Sequence, residues 1–340
     1  MRYHQVGIVQ LLLILLSTTA ANAQIGGQRS FEFLNLPTNA ATTALGGVNV
    51  SLTESDPLLL LQNPALSDSI ETNQLAFSYL GYYAGIKQSS VSYVSNIKGQ
   101  KVNFGVNYVD YGDFQGFDNT GAATGSFQAR EYAMNIGSSH QLGPFTLGAN
   151  VKFAHSLIES FSASALLFDL GGVFRPRGDH WTVSLLAKNL GFLLSDYPGA
   201  LSSELPFDLQ LGTSFKPQFM PLRFSLTASN LLRDEITFAN RQLNPNDQDP
   251  GVGDEIFSRI NIGTEVLLGK GFRLMVGYNH RIRRELRLQQ TSGGAGFSFG
   301  MFLRIKMFEL TYARSTFHAA GGVNHITIAT NLKRFQKTKL

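Results

Sequence analysis

The residue types that could carry out catalysis or bind a metal are scattered along this chain. Its seven histidines lie at positions 4, 140, 155, 180, 280, 318 and 325, and none forms HExxH or another close metal-binding spacing. The sequence contains no GxSxG elbow, P-loop or GxGxxG, and no cysteine to act as a nucleophile, metal ligand or disulfide partner. We therefore predict no catalytic residues, no bound metal and no cofactor.

Three carboxylates come close together with aromatic residues in "YVDYGDFQGFDNTG" (108–121), at Asp110, Asp113 and Asp118. Carboxylate oxygens are good ligands for Ca²⁺. The spacing differs from that of an EF-hand, however, and a stretch rich in Gly, Asp and Asn is typical of an exposed turn. We predict an exposed loop over 112–128.

Composition limits the class of protein. The 340 residues carry a net charge of +4, and only 15% of them are charged. Because no dense stripe of Lys and Arg occurs, a nucleic-acid partner is not expected. The mean hydropathy is −0.02, which argues against a bundle of membrane helices.

The first 23 residues have the features of a Sec signal peptide. Arg2 is followed by the apolar run "IVQLLLILL" (8–16), and Ala21-Asn22-Ala23 fits the small-x-small cleavage rule. The alternative is an N-terminal membrane anchor, but the apolar run is too short for one and ends in small residues. Beyond residue 23 no apolar stretch of about 18 residues follows, so no helical membrane span is predicted.

From Gln74 onward, apolar residues recur at every second position, the period of strands with one apolar face. In "PFTLGANVKFAH" (144–155), Phe145, Leu147 and Val151 alternate with Thr146 and Asn150. Most candidate strands have nine to twelve residues, which suits tilted membrane strands. Fourteen strands are predicted, starting near 74, 85, 101, 129, 144, 161, 181, 207, 221, 257, 271, 294, 308 and 324.

The connections alternate in length, as in bacterial outer-membrane barrels. Short connections such as 97–100 and 268–271 alternate with longer ones such as 190–206 and 231–256, with exceptions near 83–85 and 156–160. We predict an all-β fold, a 14-stranded antiparallel transmembrane β-barrel over 74–335, with a short periplasmic tail over 336–340. An esterase or phospholipase with Ser and His in the barrel wall is a weaker alternative.

The most basic stretch, "RIRRELRLQ" (281–289), follows one of these strands. If the strand parity continues, Arg284 points outward beside Ile282 and Leu286. An outward guanidinium at the outer leaflet could bind a phosphate or carboxylate of lipopolysaccharide. The alternative is that this stretch is an ordinary charged segment at the base of a loop, and the residues alone favour that interpretation. His155, His280 and His318 are also expected near this outer rim.

Residues 24–73 precede the barrel and contain a compact apolar stretch, "SDPLLLLQNPA" (55–65). Asp56 is a suitable N-cap and Pro57 a suitable first helical residue, whereas Asn63 before Pro64 ends the helix. Four adjacent leucines cover every side of so short a helix, so it must be buried all round. We predict a hatch inside the barrel; the alternative is packing under the barrel mouth or against a periplasmic partner.

The N-terminal segment resembles a known family. "GGQRSFEFLNLPTNAATTALGGVNVSL" (26–52), followed by Asp56 and "QNPAL" (62–66), is similar to the PorQ branch of the PorV group of FadL-like barrels. The matching elements are Ala44, Leu45, Gly46 and Gly47, then Asp56 with Pro57, and Asn63, Pro64 and Ala65. The chain departs from the family at Ala41, where Arg is frequent, and at its C-terminus, where "QKTKL" follows Phe335.

The resemblance implies a role in the type IX secretion system of Bacteroidetes, at the outer membrane. The chain would anchor a PorZ-like surface protein, alongside a PorU-like sortase and a PorV-like barrel, in a complex that handles cargo with C-terminal signal domains. No catalytic residues are implied. The long loops are the expected partner-binding sites, with Asp196, Tyr197, Asn244, Asp247 and Asp249 as candidates.

A second function fits the predicted fold. A FadL-type transporter of hydrophobic small molecules would use a route through the lumen. Such a route needs an apolar pocket inside the barrel, but the inward positions of the predicted strands carry mainly Asn, Ser, Thr, Lys and Gln. The sequence therefore favours the secretion role, unless hydrophobic hatch residues line a pocket.

Overall fold

The computed structural model describes residues 29–178, 180–198, 203–233, 236, 250–285, 294–318 and 321–336. The predicted signal peptide over 1–23 lies outside these residues. None of the helices in the described ranges is long and apolar enough to cross a membrane.

Fourteen antiparallel strands form a closed barrel in sequence order, and β1 closes the barrel by pairing with β14 from Gln74↔Asn331 to Gly81↔Asn324. This arrangement confirms the predicted strand number and direction. The strands are β1 Gln74–Gly81, β2 Lys87–Ile97, β3 Gln100–Phe117, β4 Ala123–Leu142, β5 Phe145–Ile158, β6 Phe161–Phe174, β7 Trp181–Ser195, β8 Asp208–Phe215, β9 Leu222–Ala228, β10 Ile260–Leu267, β11 Phe272–Asn279, β12 Phe297–Ile305, β13 Phe308–His318 and β14 Gly321–Asn331.

Both ends of the strand region lie at the same end of the barrel, which we call the turn end; the opposite end is the loop end. Four α-helices accompany the strands: α1 Ala40–Ala44, α2 Val252–Ser258, α3 His280–Glu285 and α4 Lys333–Gln336. The 3₁₀ helices are Glu32–Asn35, Pro57–Leu61, Pro64–Ser69 and Tyr83–Gly85.

The alternation of the sequence becomes the two faces of the wall. On β5, Phe145 is 51% exposed, whereas the adjacent Thr146 is 3% exposed and points into the lumen. A strand places successive side chains on opposite faces, so one apolar set covers the outside of the barrel. We call this outward apolar surface of the strands the lipid-facing belt.

Several predicted loops are shorter than expected. β3 continues to Phe117 and β4 begins at Ala123, so most of 112–128 is hairpin rather than loop, and the rings of Phe114 and Phe127 stack with centroids 5.4 Å apart. Asp110 and Asp113 therefore lie in β3, and only Asp118 lies in the turn. At the other end of the chain the barrel ends at Asn331, not 335.

Phe335 instead belongs to α4, where its ring packs edge-on against Phe308 with centroids 6.0 Å apart.

The hatch occupies the lumen, as hydrogen bonds to inward side chains of the wall show. The amide of Ala40 donates to Thr327 Oγ1 at 2.9 Å. Ser298 Oγ donates to the carbonyl of Ala44 at 2.9 Å, and Asn63 Nδ2 donates to Ser184 Oγ at 2.8 Å. These contacts join the hatch to strands on several sides of the barrel.

The predicted short helix in the hatch is confirmed, but it is a 3₁₀ helix rather than an α-helix. The amide of Leu59 bonds to the carbonyl of Asp56, an i→i+3 bond, and Asp56 Oδ1 caps the amide of Leu58 at 2.9 Å. Pro57 occupies the first turn, and Asn63 adopts extended backbone before Pro64. All four leucines, Leu58–Leu61, are buried.

Glycines on the inner wall make room for the hatch backbone. A Cβ at Gly277 would lie 2.2 Å from the amide nitrogen of Gly46, and one at Gly148 would lie 2.5 Å from the carbonyl carbon of Pro64. Real Cβ atoms do not approach backbone so closely, so any side chain there would displace the hatch. Outward Gly172, in contrast, leaves room for a Cβ, whose nearest neighbour would be Leu147 Cδ2 at 3.6 Å.

We expect Gly277→Ala to destabilise the protein by about 1–3 kcal/mol, because the added methyl overpacks the contact between hatch and wall. Gly172→Ala is the matched control and is expected to change stability little. Guanidinium unfolding of the refolded protein in lipid vesicles measures both. Equal unfolding midpoints for the two variants would contradict this account of the hatch.

Candidate functional site

Residues 44–47, which resemble the family motif, form the end of α1 and the turn that follows it. Gly46 and Gly47 have φ of 100° and 91°, in the left-handed region that favours glycine. The amide of Gly47 donates to the carbonyl of Thr42 at 2.9 Å, which satisfies the end of the helix. The Gly46 carbonyl accepts from Asn279 Nδ2 at 2.9 Å, and this bond attaches the turn to β11.

Asp56 connects two helices of the hatch. Its Oδ1 caps the Pro57–Leu61 helix, and its Oδ2 accepts from Asn39 Nδ2 at 2.9 Å. Asn39 Oδ1 in turn accepts from the amide of Thr42 at 2.8 Å and caps α1. One carboxylate therefore fixes the start of both helices.

Asn63 has a similar linking role in the second half of the hatch. Its Oδ1 accepts from the amide of Ala65 at 3.1 Å and caps the Pro64–Ser69 helix. Its Nδ2 donates to the carbonyl of Val50 at 2.9 Å and to Ser184 on β7. The hatch residues singled out from the sequence, Gly46, Asp56 and Asn63, thus hold the hatch together or attach it to the wall.

The two described residues among the candidates for partner binding, Asp196 and Tyr197, point in different directions. Asp196 accepts from the amide and hydroxyl of Ser203 in the β7–β8 loop, and these bonds hold the pKa of its carboxyl below the usual range. The hydroxyl of Tyr197 donates to Ser156 Oγ at 2.5 Å, so this side chain turns toward the lumen. Asn244, Asp247 and Asp249 lie outside the described residues.

Arg284 is not on a strand, so the outward parity predicted for it is wrong. The chain leaves β11 at Asn279 and forms α3, where Arg284 Nη1 lies 2.5 Å from Asp254 Oδ2. The change arises because Asn279 Oδ1 accepts from the amide of Ile282 and starts a turn. A lipopolysaccharide contact of Arg284 stays a prediction.

The described histidines that were expected near the outer rim have separate partners. His155 bonds to Ser164 at 2.9 Å, and His280 lies 3.3 Å from Asp254 in the loop-end helices. Nothing is described of the side chain of His318. Among the described residues no group of three His, Cys, Asp or Glu could hold a metal ion.

An apolar cluster in the loop half of the lumen was missed from the sequence. Phe31, Phe33 and Leu34 of the hatch pack there against small inward residues of the wall. The feature of the sequence that indicates this cluster is a set of alanines at inward positions, where mainly polar residues were expected. We call this the loop-half cluster, and its wall members are Val109, Ala133, Ala154, Ala163, Ala165 and Leu167.

Below this cluster the lumen is polar and charged. Lys152 Nζ lies 2.8 Å from Asp169 Oδ1 and donates to Asn189 Oδ1 at 2.7 Å. Lys188 Nζ donates to the carbonyl of Leu34 at 2.9 Å, which fixes the end of the apolar hatch segment. These buried groups are paired, as their desolvation requires.

The cavities within the lumen are small. One of about 20 Å³ lies between Leu34 and Leu61, and one of about 110 Å³ lies beside Lys188 and Asp208. A much wider space of about 1120 Å³ opens at the turn end beside Arg175 and Arg223. Within the described residues, the hatch therefore fills the middle of the barrel.

No protein-family model matches the chain, and no curated protein matches it either. Solved structures do resemble it. The toluene transporter TodX of P. putida is 13% identical, with a TM-score of 0.53 over 88% of this chain and 99% of TodX. The toluene transporter TbuX of Ralstonia pickettii is 12% identical, with a TM-score of 0.54 over 88% of this chain and 99% of TbuX.

At this level of identity the likeness to these two structures shows the fold. The chain thus has the fold of the FadL-like outer-membrane barrels, with fourteen antiparallel strands and short helices at its N-terminus.

Proposed function

We propose that this protein is an outer-membrane transporter of hydrophobic small molecules, with its ligand site in the loop half of the lumen. The observation that carries the proposal is the loop-half cluster. Its wall is lined by small apolar residues, and the space that they leave is filled by the rings of Phe31 and Phe33. A wall that accepts phenyl rings has the chemistry to accept an aromatic or aliphatic ligand in their place.

The segment that fills this space is attached differently from the rest of the hatch. Residues 30–36 have two hydrogen bonds to the barrel: the Ser30 amide donates to the Glu204 carbonyl at 3.1 Å, and Lys188 donates to the Leu34 carbonyl. The rest of its attachment is apolar contact. An apolar ligand can therefore replace it at little cost in lost hydrogen bonds.

The fold supports the same function, because TodX and TbuX, which share it, are toluene transporters. Monoaromatic hydrocarbons and fatty acids are the first compounds to test. The sequence-based objection, that the inward faces are polar, does not apply to the stretch of wall that the loop-half cluster lines, although Glu131 and Ser156 on the same strands are polar.

A second candidate function is anchoring in type IX secretion. The observation that favours it is the closely filled middle of the lumen: residues 38–70 form many hydrogen bonds with the wall, and the cavities beside Leu61 and Asp208 are small. Such a barrel could act as a scaffold for a PorZ-like surface protein beside PorU-like and PorV-like partners, as the family resemblance implies. Its long loops would then be the contact surface.

Deleting the gene separates these functions. We expect the mutant to lose uptake of labelled toluene or long-chain fatty acid, and the intact gene to restore it, while surface display of proteins with C-terminal signal domains continues. Normal uptake with lost display would contradict the transporter proposal and support the anchor. Co-purification of a large surface protein in gentle detergent, reduced by shortening 231–256, would further support the anchor.

Replacing Phe33 tests the ligand site directly. We expect Phe33→Ala to bind toluene about tenfold more tightly than the intact protein, because the ligand no longer has to displace the ring; tenfold corresponds to about 1.4 kcal/mol. The rise in thermal unfolding midpoint with toluene concentration measures the affinity. Phe77→Ala, which removes an outward ring of the lipid-facing belt, is the matched control.

If Phe33→Ala and Phe77→Ala respond equally to toluene, the loop-half cluster is not the ligand site.

A further inference from the structure

The short helix α2, at the loop end before β10, has an inverted arrangement of polar and apolar residues. Its polar side chains are paired with neighbouring groups or buried: Asp254, whose side chain is 45% exposed, lies 3.3 Å from His280 and 2.5 Å from Arg284 on α3, and Ser258 is buried. The hydrogen bond from His280 and the charge of Arg284 hold the pKa of Asp254 below its usual range. Asp254 is thus tied to α3 by charge-assisted contacts.

The opposite side of α2 is apolar and outward. Val252 is 80% exposed, Ile256 53% and Phe257 59%. Positions 252 and 256 lie on the same side of the helix, and 257 lies about 100° further round, so the three side chains cover a broad apolar stripe of roughly 140°. A helix on a water-exposed surface normally shows the reverse arrangement, with apolar residues inward.

This apolar face continues the lipid-facing belt. The ring of Phe257 lies 6.0 Å from that of His280, which lies 6.2 Å from that of Tyr278, the last outward residue of β11. Tyr278 in turn lies 5.0 Å from Phe297 at the start of β12. Neighbouring rings therefore connect α2 to the outward residues of two strands.

The wall below α2 is short. Strands β8–β11 have seven or eight residues each, whereas β3–β7 have between 14 and 20. Eight residues tilted by about 40° rise roughly 20 Å along the barrel axis, less than the ~25 Å apolar band of an outer-membrane barrel. Within the described residues, α2 provides exposed apolar surface beyond the loop-end edge of these strands.

We propose that α2 lies on the membrane surface and that Val252, Ile256 and Phe257 contact the acyl chains of the leaflet at the loop end. The helix completes the lipid-facing belt over the short side of the barrel. The contacts of Asp254 with His280 and Arg284 tie it to α3 in this position.

The absence of cysteine from the sequence makes single-site labelling straightforward. Val252→Cys, Ile256→Cys and Phe257→Cys are each labelled with an environment-sensitive fluorophore in the full-length protein, refolded into phosphatidylcholine vesicles with and without nitroxide-labelled lipid. Ile262→Cys, on the outward face of β10, is the control for lipid contact. Asn119→Cys, in the exposed β3–β4 turn, is the control for water.

We expect the three α2 labels to show blue-shifted emission and quenching by nitroxide near the headgroups, as at Ile262, and weak quenching by iodide in solution. Iodide quenching equal to that at Asn119, without nitroxide quenching, would overturn the proposal. Protection from both quenchers would also overturn it, because another protein segment would then cover α2. Val252 contacts little else, so its variant is expected to fold even if Phe257→Cys does not; a gel shift on heating verifies folding.

Discussion

The arrangement of the hatch inside the barrel depends on the hydrogen bonds that the carboxylate of Asp56 accepts. It accepts hydrogen bonds from the amide of Leu58 and from the side chain of Asn39, and Asn39 caps α1. The hatch has little regular structure of its own, so these side-chain caps replace the backbone bonds that longer helices would supply. Once both helices are capped, the four leucines and the Ala44–Gly47 turn are held against different parts of the wall.

The lumen is divided into two chemically different halves. Toward the turn end the hatch is hydrogen-bonded to the wall, ion pairs such as Lys152–Asp169 and Arg223–Glu265 lie inside the barrel, and a wide space opens beside Arg175. Toward the loop end it is filled by aromatic and aliphatic side chains against alanines. Polar attachment requires specific geometry, whereas apolar attachment does not, so the two halves differ in how readily one occupant can be replaced by another.

Much of the fold was predictable because it follows from period-two alternation. The strand number, the start of most strands and the cap at Asp56 required no tertiary information. The loop-half cluster was not predictable in this way, because alanine is compatible with either face and its burial depends on Phe31 and Phe33, far away in sequence. Arg284 was misplaced because alternation cannot show where a strand ends, and the turn at Asn279 depends on a local side-chain bond.

The chain order of the hatch has a consequence for how this protein is assembled. Its contacts include Thr327 on β14, bonded to Ala40 across 287 residues, and Ser298 on β12. The segment made first therefore finds its final partners only when the last strands are in place. Closure of the barrel between β1 and β14 and settling of the hatch become a single late event, and a chain truncated near its C-terminus would lose both its seam and its interior.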